Sequence, residues 1–239
     1  MKIKKYIFGI ILLSSSVFFS CGEMNATVEA VVESSKKVIE SDMPIIENSV
    51  NWDTEVKKQL AETKKIQVLT SYLEEHKGPV AKREAISSVD IYNSMKKHCA
   101  KYDIGIEILI GLSIEESNVT QKPRDSVAGC RGICQVSRGA LSDFNTNVIW
   151  PKYHDGSKFY TWEDMYDYDK NIEVACYYIR WLWDSFSDIQ EIGDVLISYN
   201  AGHGKLAKYK LINDPTVYHY HTDIIEHAKE CNYRVKLCS

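Results

Sequence analysis

The stretch that most constrains the fold runs from residue 104 to residue 136 and begins as a helix that is apolar nearly all the way round. A helix without a polar face is typical of a protein interior. Its apolar residues are Ile104, Ile106, Ile108, Leu109, Ile110, Leu112 and Ile114. The helix ends at Glu115 and Glu116, where a polar loop with proline and glycine follows. The sequence therefore predicts a buried helix that ends in two carboxyl groups.

One of these two carboxyl groups is predicted to face the apolar interior. At about 100° per residue, Glu116 falls between Leu109 and Leu112. Glu115 points about a quarter turn away. Because apolar surroundings disfavour a carboxylate, the pKa of Glu116 should rise, and the group would then donate a proton near neutral pH. The alternative is that both groups are solvated, as acidic pairs at helix ends usually are. We take Glu116 as the candidate general acid.

Three short motifs, in order along the chain, resemble the signature of the lytic transglycosylase domain of the lysozyme-like superfamily. They are Glu116-Ser117 at the helix end, residues 126–135 (SVAGCRGICQ) and residues 199–202 (YNAG). The family pattern is E-S, then a G-x-x-G-L-M-Q-like turn, then Y-N-A-G. The resemblance covers roughly Ser88 to Cys231. It implies a mainly α, lysozyme-like helical domain with at most a small β-hairpin, preceded here by N-terminal helices.

The resemblance also implies an activity, that of a peptidoglycan lytic transglycosylase. Such an enzyme cleaves the β-1,4 bond between N-acetylmuramic acid and N-acetylglucosamine. One glutamic acid protonates the glycosidic oxygen, and the sugar's own 6-hydroxyl then attacks to give a 1,6-anhydromuramoyl end. Because the substrate supplies the nucleophile, the second carboxylate that most glycosidases use is not needed. No cofactor is implied.

The motifs assign one catalytic residue and five substrate-binding residues. Glu116 matches the family's acid/base. The substrate-binding residues are Ser117, Gln135, Tyr199, Asn200 and Tyr220. In the family the glutamine lines the cleft, and the tyrosine and asparagine of the third motif face the glutamate and the glycan's acetamido group. A phenol and an amide can form these hydrogen bonds without adding a charge that would lower the pKa of the acid.

Two departures separate this chain from the best-known members of the family. Ile133-Cys134 stands in place of Leu-Met, which puts a thiol beside the site, and Ser137-Arg138 stands where a proline usually follows. Neither removes a group that the reaction needs. Two alternatives stay open. One is a goose-type lysozyme-like muramidase, which uses water and leaves a reducing end. The other is a non-catalytic glycan-binding or scaffold lipoprotein of an envelope-spanning machine.

The first residues have the pattern of an export signal. Three lysines precede an apolar run that is too short to span a bilayer as a permanent helix. We predict a lipoprotein-type signal peptide over residues 1–20, with cleavage before Cys21 and acylation of Cys21. Phe18 stands where such signals usually carry leucine, so plain secretion is the alternative. The expected location is the cell envelope or periplasm, with a lipid anchor in the membrane and a secretion or conjugation apparatus as a further candidate partner.

The rest of the chain is predicted to have three parts. Residues 21–51 form a flexible tether, residues 52–87 an N-terminal helical extension, and residues 88–239 the lysozyme-like domain. Removal of the signal takes away three lysines and no acidic residue, so the net charge moves from −4 to about −7. Since no basic face rich in aromatics stands out, nucleic acid is excluded as a partner.

Six cysteines remain when Cys21 is acylated, and an even number outside the cytoplasm predicts disulfides. They are Cys99, Cys130, Cys134, Cys176, Cys231 and Cys238. A zinc site is the alternative, but no compact set of cysteines and histidines has the spacing of metal ligands, so we predict no metal. The aromatic residues concentrated at 177–186 suggest sugar stacking in such a protein, but their helical spacing favours a role in the core.

Overall fold

The computed structural model of the chain describes residues 52–84, 86–123, 126, 129–154, 156–212 and 215–238. The predicted signal peptide, Cys21 and the tether lie outside these residues. The chain divides into two compact units. One unit comprises residues 69–234 and contains the candidate site, and the described residues of the other are 52–68 and 235–238. The predicted domain boundaries stay predictions.

The described residues are mostly helical. The helices are α1 (Trp52–His76), α2 (Ser88–Tyr102), α3 (Ile106–Ser117), α4 (Arg138–Phe144), α5 (Trp150–Tyr153), α6 (Tyr168–Ser185), α7 (Ile192–Ala201), α8 (Leu206–Ile212) and α9 (Pro215–Leu237). Short 3₁₀ turns lie at Ala81–Arg83, Glu163–Tyr166 and His203–Lys205, and a π-helical turn, Asn145–Ile149, joins α4 to α5. The described part of the chain has no strand, and its β-type pairing is an isolated bridge between Arg131 and Val136. The prediction of a mainly α fold is confirmed.

Helix α6 is central to the unit of residues 69–234, since it packs against α2, α4 and α7. Asp167 caps its start, where the carboxylate accepts a hydrogen bond from the backbone N–H of Lys170 at 3.0 Å. Its buried residues are Asn171, Ile172, Val174, Ala175, Cys176, Tyr177, Ile179 and Leu182. One wide apolar face therefore serves three neighbouring helices.

The aromatic residues of α6 do not all belong to that buried face. Tyr177 is buried, as predicted, whereas Trp183 is 42% exposed. The two residues are six positions apart, which places them on different faces of a helix with about 3.6 residues per turn. The interpretation of the whole aromatic stretch as core is therefore wrong for Trp183.

Helix α3 is the buried helix that the sequence predicts. Leu109, Ile110 and Leu112 are fully buried. The helix ends at Asn118, whose backbone adopts a left-handed conformation (φ 51°) and whose N–H donates to the carbonyl of Ile114 at 2.8 Å. This C-terminal cap places Glu116 in the last turn of the helix.

The prediction that the six cysteines form disulfides is wrong for five of them. Cys99, Cys130, Cys134, Cys176 and Cys231 are free thiols. Four of the free thiols are buried, where cysteine packs as a small apolar residue. An even number of cysteines says nothing about distance, and a disulfide needs two sulfur atoms in bonding geometry.

No helix among the described residues is long and apolar enough to cross a membrane. In the same part of the chain, no group of three or more His, Cys, Asp or Glu side chains is placed to hold a metal ion.

Candidate active site

Glu116 is half-buried, and its carboxyl group accepts a hydrogen bond from the hydroxyl of Tyr220. Burial raises the pKa of Glu116 to about 7, the hydrogen bond from Tyr220 acts in the opposite direction, and the charge of Glu115 raises the pKa further. A carboxyl group with this pKa is protonated in a large share of molecules near neutral pH. It can therefore donate a proton and take one back under the same conditions.

Glu115 has a different environment although it is the next residue. It is exposed, and its carboxylate lies 3.0 Å from Nε2 of His227. Nδ1 of the same ring lies 2.7 Å from the hydroxyl of Tyr72. Glu115 thus belongs to a row of hydrogen bonds on the outer side of α3, while Glu116 points to the interior. The predicted difference in direction between the two residues is confirmed.

Helix α9 supplies the partners of both carboxyl groups, and it can do so because it approaches α3 very closely. A Cβ atom on Gly111 would lie 2.6 Å from the backbone oxygen of Ile224 and 3.1 Å from Cβ of His227. Only glycine fits at such a crossing. Tyr220 and His227 are two helical turns apart, so one face of α9 reaches both ends of the Glu115-Glu116 pair.

Tyr220 is suited to the role of a neutral partner. Burial raises its pKa well above the ordinary value of a phenol, and the charge of Glu116 adds to this effect. The hydroxyl therefore keeps its proton at physiological pH and donates it in the hydrogen bond to Glu116. It supports the carboxylate without placing a positive charge beside it.

The turn at residues 131–135 is held by Asn171, a completely buried residue of α6. Its side-chain oxygen accepts a hydrogen bond from the N–H of Cys134 at 2.8 Å, and its Nδ2 donates to the carbonyls of Arg131 and Met165 at 2.9 and 3.0 Å. Sequence reasoning missed this residue. The signal was available, because a lone asparagine on the apolar face of α6 must find hydrogen-bond partners.

Gly132 lets the turn approach Asn171. Its φ is +82°, and a Cβ atom there would lie 2.1 Å from the carbonyl oxygen of Met165. A side chain of any size is therefore excluded. Gly132 therefore lets the backbone of the turn pack directly against Asn171 and Met165.

Gln135 closes the same turn in a strained conformation. Its φ is +47°, which is uncommon for a residue other than glycine. The side chain is buried, and its Nε2 donates to the carbonyl of Gly132 at 3.0 Å. The side-chain nitrogen is thus used within the turn, and the contact of Gln135 with substrate stays a prediction.

Ser117 connects the end of α3 to this turn. Its hydroxyl lies 2.8 Å from the carbonyl of Ile133 and 3.1 Å from that of Ser113, and it accepts a hydrogen bond from the N–H of Thr120 at 3.1 Å. Ser117 is 8% exposed. These contacts position Glu116 relative to the turn, and the predicted contact of Ser117 with substrate stays a prediction.

Tyr199 approaches Glu116 from α7. Its hydroxyl donates to the carbonyl of Cys134 at 2.8 Å. Burial is the main reason that the pKa values of Tyr199 and Tyr220 are raised, and the charge of Glu116 contributes to both. The structure therefore brings Glu116, Tyr199 and Tyr220 together, whereas Asn200 is exposed at the end of α7.

The thiol of Cys134 is buried rather than placed at the surface of the site. Cys134 is 0% exposed, and burial, with a contribution from Glu116, raises its pKa well above that of an ordinary thiol. A buried, protonated thiol is unreactive. The departure from the family's Leu-Met is therefore a change in packing.

Comparison with known proteins identifies the family and the fold. The sequence profile described as the transglycosylase SLT domain matches residues 93–216. A solved structure with a similar fold is the 70 kDa soluble lytic transglycosylase SLT70 from Escherichia coli, with a TM-score of 0.50 and 14% sequence identity over 74% of this chain. This chain spans 28% of that protein. No curated protein sequence matches. The lysozyme-like helical fold is confirmed, and the chain belongs to the transglycosylase SLT domain family.

Proposed function

We propose that this protein is a peptidoglycan lytic transglycosylase in which Glu116 is the single general acid and base. The observation that carries the proposal is the setting of this carboxyl group, which is half-buried and accepts a hydrogen bond from the neutral hydroxyl of Tyr220. Burial raises its pKa to about 7. Membership of the SLT domain family supports the reaction class.

In the first step, the protonated Glu116 gives its proton to the glycosidic oxygen between N-acetylmuramic acid and N-acetylglucosamine. The bond from C1 to that oxygen breaks, and N-acetylglucosamine leaves with a free hydroxyl. Glu116 becomes a carboxylate as positive charge develops at C1. The hydrogen bond from Tyr220 strengthens at this moment, because a phenol binds a charged acceptor more strongly than a neutral one.

In the second step, the 6-hydroxyl of the muramoyl residue attacks C1. The carboxylate of Glu116 takes the hydroxyl proton, a C1–O6 bond forms, and the acid is restored. The product carries a 1,6-anhydro ring, and no water enters. Tyr199 and Asn200 are proposed to position the acetamido group of the glycan relative to the acid. Gln135, on the adjoining turn, is proposed to line the cleft.

Digestion of purified sacculi, followed by mass spectrometry of the released muropeptides, tests this function. Anhydro ends are the expected product. Products with reducing ends, which are heavier by one water, would show instead that the protein is a goose-type lysozyme-like hydrolase. If the wild-type protein releases no muropeptide at all, the catalytic proposal fails and a glycan-binding or scaffold lipoprotein is the better description.

We also propose that the protein is exported and lipid-anchored in the cell envelope through Cys21. The basic start, the apolar run and the small residue before Cys21 support this proposal. Metabolic labelling with a fatty-acid probe tests it, and Cys21→Ser should abolish labelling and release the protein from the membrane fraction. Labelling that survives the substitution would contradict the anchor. Contact with a secretion or conjugation apparatus stays a prediction.

A further inference from the structure

Two arginines and two aromatic rings form a cluster at the surface beside the turn of the second motif. Arg131 lies 4.8 Å from the ring of Trp162 and 4.3 Å from that of Tyr166, and Arg138 lies 4.3 Å from the ring of Trp162. We call Arg131, Arg138, Trp162 and Tyr166 the arginine–aromatic cluster. A guanidinium group over a ring face is attracted by the ring, which holds its plane in a defined orientation.

The cluster is fixed to the turn that carries Gln135. The backbone of Arg131 exchanges hydrogen bonds with that of Val136 at 3.0 and 2.8 Å. Arg138 begins α4, and Ser137 caps this helix by accepting a hydrogen bond from the N–H of Ala140 at 3.1 Å. The two arginines therefore flank residues 132–137, the segment that contains Gln135.

Arg138 differs from Arg131 in its electrostatic surroundings. Arg131 lies 3.1 Å from the carboxylate of Glu163. Arg138 is exposed, and no carboxylate of the described residues pairs with it. On a chain with a net charge of −4, a guanidinium that is held on a ring, has no carboxylate partner among the described residues and lies three residues from Gln135 is a candidate for binding an anion.

We propose that the arginine–aromatic cluster binds the carboxylates of the stem peptides of peptidoglycan, with Arg138 as the main contact. This inference rests on the proposed function and names a part of the substrate that the site recognises. A planar guanidinium can donate two parallel hydrogen bonds to one carboxylate, and the indole ring orients the group before the ligand arrives. Glycan strands whose stems have been removed by an amidase keep a carboxylate only on the lactyl group of the sugar itself, so they separate recognition of the stem from recognition of the glycan.

Binding by a protein that cannot cleave tests the proposal directly. The Glu116→Gln protein is sedimented with intact sacculi and with glycan strands from which an amidase has removed the stems. Arg138→Gln in this background should weaken binding to the stem-bearing material about fivefold to tenfold and leave binding to the bare strands unchanged. Arg180→Gln is the matched control, because Arg180 is a half-exposed arginine that pairs with Asp184 at 2.7 Å, and it should change neither.

A second arm identifies the chemical group. Sacculi whose carboxyl groups have been coupled to glycinamide should bind the parent protein as weakly as Arg138→Gln binds untreated sacculi. Arg138→Lys should restore part of the affinity, since it keeps the charge and loses the planar fork. Melting curves of all variants should coincide.

Equal loss on bare and stem-bearing strands would overturn the proposal, because the arginine would then contact the glycan or act as a general charge. Unchanged binding of Arg138→Gln to sacculi would overturn it as well. These outcomes are separate from a failure of the proposed reaction. If the protein cleaves sacculi but its binding does not depend on Arg138, only this inference is wrong. If it binds through Arg138 but releases no product, only the catalytic proposal is wrong.

Discussion

The two sides of the end of helix α3 carry the same chemical group in opposite settings. Glu116 faces the interior and accepts a hydrogen bond from a neutral phenol, whereas Glu115 is exposed and bonded to an imidazole. Burial raises the pKa of Glu116 to about 7. One residue of helical rotation therefore separates the carboxyl group that we propose as the proton donor from a carboxyl group at the surface. The difference shows that the fold around the carboxyl group, more than its presence, makes the chemistry available.

The largest effect is expected from exchanging the carboxyl groups for amides one at a time. Glu116→Gln should lower the rate of muropeptide release by about 10² to 10⁴, because an amide of nearly the same shape cannot transfer the proton. Glu115→Gln is the matched control and should retain most of the activity. The rate of muropeptide release from purified sacculi is the measurement. Equal losses of rate in the two variants would show that Glu116 and Glu115 do not differ in their role.

Glu116→Gln should also make the folded protein more stable, relative to the wild type, at alkaline pH than at acidic pH. Because the pKa of Glu116 is raised from 4.5 to about 7, the folded state binds this proton more tightly than the unfolded state does. The wild type therefore loses stability as pH rises through this range, by up to about 3 kcal/mol. Urea unfolding should show Glu116→Gln gaining on the wild type between pH 4 and pH 8 by about this order. A constant difference would show that the group does not titrate between these limits.

The next prediction concerns the contact between α3 and α9, since α9 supplies the hydrogen-bond partner of both Glu115 and Glu116. Gly111→Ala would put a Cβ atom 2.6 Å from the oxygen of Ile224, so α9 must move. Displacement of a positioned group by about 1 Å can cost about 10²-fold in rate. The control is Gly139→Ala, where the added Cβ atom would meet nothing closer than Ser137 Oγ at 3.8 Å. Activity and melting temperature of both variants check this, and full activity of Gly111→Ala would show that the close approach is dispensable.

The sequence predicted the inner and outer carboxyl groups correctly because helical rotation is a local property. Glu116 follows from its phase relative to Leu109 and Leu112. The resemblance gave Tyr220 as a substrate-binding residue, but its hydrogen bond to Glu116 was not predicted, since periodicity does not say which distant helix crosses α3, or where. Gly111 was overlooked, although a glycine inside a buried helix can mark a close crossing. Asn171 was overlooked for a similar reason, because its partners lie on another segment of the chain.

A smaller and more specific effect is expected from removing the phenol on the inner side. Tyr220→Phe leaves the ring in place and removes the hydrogen bond that lowers the pKa of Glu116. The pKa of Glu116 should therefore rise further, and the alkaline limb of the pH–rate profile should move to higher pH. The rate at the optimum should fall about tenfold, because the carboxylate formed in the first step loses its donor. A lower rate with an unmoved alkaline limb would assign Tyr220 to substrate binding alone.

The smallest effect should come from the outer side. The charge of Glu115 contributes to the raised pKa of Glu116, so Glu115→Gln should lower that pKa and move the alkaline limb of the pH–rate profile to lower pH. Since charges near water are screened, the rate on the alkaline side should fall only about twofold to threefold, and less at high salt. His227→Ala removes the side chain that contacts Glu115 and leaves that carboxylate in place, so it separates loss of the charge from loss of the contact between α3 and α9. If both variants move the profile equally, the outer carboxyl group acts by positioning α9; if only Glu115→Gln does, it acts on its neighbour through its charge.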